Sequence, residues 1–155
     1  MSTTIPSSSV VDDVLAAELD SLGPWPPGVE PIGGHPEAFA LELTDDGHVQ
    51  TGIWECTPGS FPSRRDGFCE LMHFVAGDAT ITDADGARRE VRPGAVIFVP
   101  DGWQGVWDIR KTVRKTYVIV QTSAGKGGPA SIARRPRRSC AKRPARTGSS
   151  PAPAP

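Results

Sequence analysis

The chain has 155 residues, enough for one domain with a hydrophobic core, and no apolar run approaches the roughly 18 residues of a membrane span. Three cysteines, Cys56, Cys69 and Cys140, lack C-x-x-C spacing, which argues against a disulfide framework or a structural zinc site and for a reducing cytoplasm. The formal net charge of −1 hides a split: residues 1–121 carry nine Lys/Arg against all 18 Asp/Glu, and residues 122–155 carry eight Lys/Arg and no acid.

In chain order, residues 1–8 are polar and lack the basic and apolar regions of a signal peptide. A short N-terminal helix is predicted next. Ser9 is its N-cap, Asp12 sits in its first turn, and Val11, Val14, Leu15, Leu19 and Leu22 form an apolar stripe. Gly23-Pro24 ends it. Residues 23–36 are too rich in Pro and Gly for regular structure and read as an arm anchored by Trp25.

From residue 37 the pattern becomes one of short strands, at 38–43, 48–56, 69–76, 79–83, 88–92, 95–99, 104–109 and 113–121. Turn residues separate them, as at Asp45-Asp46-Gly47, Pro93-Gly94 and Asp101-Gly102. Such spacing predicts an all-β sandwich or barrel. Alternation puts Glu70, Met72 and Phe74 on one face of their strand and Leu71, His73 and Val75 on the other. Both faces are largely apolar, so the outer one is expected to be covered by the arm, by a second subunit in a homodimer, or by both. The chain divides into 1–36 (helix and arm), 37–121 (β-barrel) and 122–155 (basic tail). The tail has almost nothing to bury and is expected to be disordered. Its arginines have no interleaved aromatic residues for base stacking, so nucleic acid is not an expected partner.

Several residues are candidates for chemistry. Glu70 is a base or ligand, or the partner of Arg64, Arg65 or Lys115, because a lone carboxylate in an apolar barrel is costly. Arg64 and Arg65 either belong to a solvated loop or use their fork geometry to grip a carboxylate or phosphate of a small ligand. Trp54, Trp103 and Trp107 are candidates for an aromatic wall around a small ligand or for core packing. Lys115 and Tyr117 share strand parity and, facing inward, would be acid/base groups.

Two stretches carry a family resemblance. Gly59 … Glu70-Leu-Met-His-Phe-Val-Ala-Gly77 is similar to the first signature of the cupin superfamily, G-x5-H-x-H-x3–4-E-x6-G. Gly94-Ala-Val-Ile-Phe-Val-Pro100-Asp-Gly102-Trp-Gln-Gly105 resembles the second, G-x5-P-x-G-x2-H. Around them, Gly52-Ile-Trp54-Glu-Cys56-Thr-Pro-Gly59, Gly102–Trp107 and Val113-Arg-Lys115-Thr-Tyr117-Val resemble a small branch of single-domain cupins. That branch includes the cupin domains related to (S)-ureidoglycine aminohydrolase and a cupin of ethanolamine utilisation.

The resemblance implies a single-domain jelly-roll β-barrel. It also implies a metal site, but the H-x-H positions fall on Ser63–Asp66 and the third histidine on Gly105, leaving Glu70 of four ligands. A rebuilt oxygen-rich site for Mn, Zn, Fe or Ni would draw on Asp66, Glu70 and Gln104, with His73. The ligand set favours a cupin-fold binding protein with a degenerate metal site, holding a small polar metabolite in its barrel. Arg64, Arg65, Trp54, Trp103, Gln104 and Trp107 would form its ligand site. The alternative is a metal-dependent hydrolase or lyase acting on a small ureido or amino compound, with Glu70, Lys115 and Tyr117 catalytic.

Overall fold

The computed structural model describes residues 7–122. Among the described residues nine strands run in chain order: β1 (Asp20–Ser21), β2 (Gly33–Gly34), β3 (Ala38–Asp45), β4 (Val49–Cys56), β5 (Gly59–Arg64), β6 (Phe68–Asp83), β7 (Arg88–Val91), β8 (Val96–Val99) and β9 (Gln104–Gln121). Every pairing is antiparallel. The fold is all-β, and no helix among the described residues is long and apolar enough to cross a membrane.

The long strands β6 and β9 organise the molecule. Phe68–Phe74 of β6 pairs with Lys115–Gln121 of β9, and Ala79–Asp83 pairs with Gly105–Ile109. Between these stretches the register shifts repeatedly from Phe74 to Ala79, so both strands bend. One half of the bent pair is flanked by β4 and β8, the other by β5 and β7. The sheet therefore folds back on itself, and the jelly roll closes around one core. Gly77 makes the bend possible. Its φ is +101°, and a Cβ there would lie 2.4 Å from the Thr112 carbonyl oxygen and 2.5 Å from Val113 Cα.

Strand alternation fills the interior. Met72 and Phe74 from β6, Ile81 past the bend, Val91 from β7, and Trp107, Val113 and Ile119 from β9 are fully buried or nearly so. Aromatic rings dominate the centre: Trp107 stacks on Phe61 at 5.9 Å and meets Trp54 edge-on at 5.6 Å. On the outer face Leu71, Val96, Phe98 and Val118 stay 39–62% exposed, so the N-terminal arm does not cover that part of the sheet.

The predicted N-terminal helix is corrected. Residues 14–16 form a single turn, with Asp13 Oδ1 accepting from the Leu15 and Ala16 amides. The carbonyls of Val14, Leu15 and Ala17, which a helix would use for its own ladder, accept from the Arg114 guanidinium instead, at 2.8–3.0 Å. Arg114 is itself held by Glu55 at 2.6 Å. Leu15, placed on the buried stripe by spacing, is 61% exposed. The arm joins the sheet, β1 pairing with β3 and β2 with β5. The predicted strands on either side of residues 77–78 and 110–112 are continuous as β6 and β9, and β5 was not predicted at all. The basic tail beyond Thr122 lies outside the described residues.

Candidate functional site

The polar centre of the barrel is built from three charged side chains on different elements. Alternation turns Glu70 of β6 inward with Met72 and Phe74. Lys115 of β9 lies opposite both Phe74 of β6 and Trp54 of β4, on the same inward row as Val113 and Tyr117. Arg65 follows β5, clipped by its backbone to the 102–103 turn: its amide donates to the Trp103 carbonyl, and its carbonyl accepts from Gly102. All three residues are buried, at 3–4% exposure.

Arg65 donates Nε and Nη2 to Glu70 Oε2 at 2.9 and 2.6 Å, and Lys115 Nζ donates to Oε1 at 2.6 Å. Both carboxylate oxygens are thus engaged by cations. Arg65 Nη1 donates to Ser63 Oγ and to the Arg64 carbonyl. Its guanidinium lies over the rings of Phe68 and Trp103 at 5.7 and 5.5 Å. The Lys115 ammonium lies over Trp54 and Trp107 at 4.8 and 5.2 Å.

Burial pushes the Glu70 carboxyl towards its neutral form, but Lys115 and Arg65 prevail and hold it below the ordinary carboxylate value. For Lys115 the balance goes the other way. Burial, aided by repulsion from Arg65, outweighs Glu70 and holds the ammonium below the ordinary lysine value. With all three groups charged, two cations face one carboxylate, a net +1 in an aromatic cage. Burial raises the Cys56 thiol to about 12, so it stays neutral. Burial likewise raises Tyr117 above its ordinary value. Two buried donors, Trp107 Nε1 and Tyr117 Oη, have no hydrogen-bond partner among the described residues.

The remaining candidates separate. Trp54 and Trp107 wall the cluster, and Trp103 backs Arg65 while its indole N–H donates to Asp83 at 3.0 Å. Arg64 is exposed and pairs with Asp66 on the surface at 3.0 Å. His73 and Gln104 are exposed on the alternate rows of β6 and β9. Sequence reasoning missed Phe61, Ser63 and Phe68, which complete the surroundings of Trp107 and Arg65. Alternation from Phe61 through Ser63 to Arg65 was the available signal, and it also distinguishes Arg65 from Arg64.

These residues do not fit the metal that the sequence signatures imply. Asp66, His73 and Gln104 are exposed while Glu70 is buried, so the candidate ligands do not converge. Among the described residues no group of three or more His, Cys, Asp or Glu is placed to hold a metal ion. The Glu70 oxygens already face cations. At Gly105 a Cβ would come within 2.4 Å of Trp103 Cζ2, so the Trp103 indole fills the space of a third histidine.

Residues 43–117 match the family model described as the EutQ-like cupin domain. A protein of the DUF861 family from Pseudomonas syringae pv. tomato is similar at 27% identity and a TM-score of 0.60, over 68% of this chain and 45% of that one. The EutQ protein of Clostridium difficile aligns at 19% identity and a TM-score of 0.50, over 56% of this chain and 70% of that one. A predicted oxalate decarboxylase from Thermotoga maritima aligns at 15% identity and a TM-score of 0.55, over 72% of this chain and 99% of that one. The last two likenesses show the fold alone. No curated protein is significantly similar to the chain.

Proposed function

Starting from residues 43–117 as a cupin domain of the EutQ-like type, we propose that the protein binds a small polar metabolite inside the barrel without a metal ion. The observation that carries this reading is the Arg65–Glu70–Lys115 cluster, buried among aromatic rings where the family's signatures imply a metal. An apolar core of the same volume would be at least as stable, because desolvating three charges offsets their attraction. A charged cluster at that place is suited to recognition. In this reading Arg65, Glu70 and Lys115 supply the polar contacts, and Trp54, Trp103 and Trp107 the walls. Arg64 and Gln104, both exposed, lie outside it. The test is a thermal-shift screen of small polar metabolites against the wild type, Lys115→Met and Trp107→Phe. A ligand that stabilises the wild type and loses its effect in both variants supports the reading. Ligands whose effect survives both variants bind elsewhere and contradict it.

One observation favours a second reading, an enzyme similar to (S)-ureidoglycine aminohydrolase acting on a small ureido or amino compound. Lys115, held below its ordinary value, lies 2.6 Å from Glu70, an arrangement suited to proton transfer. Tyr117 shares their interior. Hydrolysis of ureido or amino substrates by the wild type, abolished in Glu70→Gln, would establish it.

The proposal extends to a homodimer and to the cytoplasm. Leu71 lies opposite both Phe98 and Val118, so these residues form one apolar strip ending at β8, which pairs with β6 alone among the described strands. A second copy of the same strip is its natural cover. The cytoplasmic assignment rests on the cysteine usage.

A further inference from the structure

The donors and acceptors inside the barrel do not balance. Glu70 is the sole carboxylate of the cluster, and both its oxygens accept from Arg65 and Lys115. Arg65 directs its remaining Nη1 bonds to Ser63 Oγ and the Arg64 carbonyl. Lys115 has three N–H groups, and Glu70 is its one hydrogen-bond acceptor among the described residues, the ammonium otherwise lying over the Trp54 and Trp107 rings. The Trp107 indole, whose ring lies 5.2 Å from that ammonium, has an Nε1–H with no partner among the described residues. Donors remain at Lys115 and Trp107, both oxygens of the sole carboxylate already face cations, and the cluster carries one positive charge in excess. The neighbouring Cys56 thiol is too weak an acid to balance that charge.

We infer that the ligand is a small monocarboxylate whose carboxylate accepts from Lys115 Nζ and Trp107 Nε1, with its short substituent against the Trp54 and Phe61 rings. This rests on the reading that the barrel binds a small molecule, and it names that molecule's class. A carboxylate is acceptor-only, so it satisfies both donors and cancels the excess charge without disturbing the Arg65–Glu70 pair. A neutral amide or ureido compound would leave the excess charge uncancelled. A cation would add to a charge already uncompensated. The four-carbon stem of Lys115 lets the ammonium turn from the rings to the anion.

The test titrates the full chain with formate, acetate, propionate and glycolate, and with their neutral amides, at constant ionic strength set by chloride. Tryptophan fluorescence and melting temperature report binding. At least one carboxylate is expected to bind the wild type at least tenfold more tightly than its amide. Lys115→Met, which leaves Arg65 and Glu70 as a neutral pair, is expected to weaken that carboxylate at least tenfold. Trp107→Phe, which keeps a ring but removes the N–H, is expected to weaken it severalfold. Circular dichroism confirms that each variant is folded. Amides that bind as well as the carboxylates, with weakening in either variant, would overturn the carboxylate assignment and leave the barrel reading standing. Carboxylate binding unchanged in both variants would place the ligand outside the barrel and overturn both. Failure of every probe to bind the wild type would overturn the carboxylate assignment, while the wider metabolite screen decides the barrel reading.

Discussion

Glu70 is held between two cations, and the energetics of that arrangement are asymmetric. Removing the carboxylate leaves Arg65 and Lys115 buried together with no counter-charge. Glu70→Ala is therefore expected to destabilise the protein by about 3–5 kcal/mol in chemical denaturation. Removing Lys115 leaves a paired Arg65 and Glu70, so Lys115→Met is expected to be close to neutral or stabilising. Equal losses in the two variants would contradict this account of the cluster. The pH dependence follows from the same groups. The folded-state value of Glu70 is below the ordinary 4.5, so near and below that pH the unfolded chain holds more protons. The stability Glu70 contributes is present above pH 4.5 and is lost as pH falls through its folded value. Lys115 is also lowered, from an ordinary 10.5, so its burial penalty is felt at low pH and relieved as pH rises from its folded value towards 10.5. Denaturation curves across pH in wild type and Lys115→Met check both signs: the acid loss should persist in the variant and the alkaline rise should vanish. At this scale the sequence was informative about Glu70, because motif spacing located it, and about Lys115 and Tyr117, because strand parity put them on one row, which the structure turns inward. It did not distinguish Arg64 from Arg65, since β5 was not recognised and no parity could be assigned.

Elements were legible where alternation was uninterrupted and illegible where a distant partner decided. The Phe68–Phe74 half of β6 was readable because both of its rows are largely apolar, as in a strand covered on both faces. Strand β5 was not, because Pro62 and the polar Ser63-Arg64 interrupt the pattern. Its place beside β9, beyond the two-residue pairing with β2, tolerates a proline that cannot donate. The helix expected near Val11–Leu22 fails because Arg114, about a hundred residues away, takes the carbonyls the helix would need. Arg114→Ala is therefore expected to loosen this arm: backbone amides of residues 14–22 should exchange faster, with a stability loss of about 2 kcal/mol. Unchanged exchange there would show that the arm is held by its apolar contacts alone. The bend of β6 has its own test. Gly77→Ala puts a methyl group against the backbone of residues 112–113 at a positive φ, and is expected to lower stability by at least ~2 kcal/mol.

For the whole molecule, the outward apolar strip of Leu71, Phe98 and Val118 predicts association. Sedimentation is expected to show a dimer, and Phe98→Asp a monomer with unchanged secondary structure. A wild type that stays monomeric at high concentration would remove the homodimer. The cupin fold was legible from the sequence because two signatures surrounded a run of strands. The chemistry was not, because a signature names positions, and here Arg65 and Glu70 at those positions join Lys115 in an ion cluster while Gly105 makes room for the Trp103 indole.

The most direct test of the central claim, a polar centre made of Arg65, Glu70 and Lys115 in place of a metal, is the metal content of untagged protein measured by mass spectrometry. The account predicts far less than one Mn, Zn, Fe or Ni per chain and a melting temperature unaffected by chelators. About one such ion per chain, lost in Glu70→Ala, would contradict it.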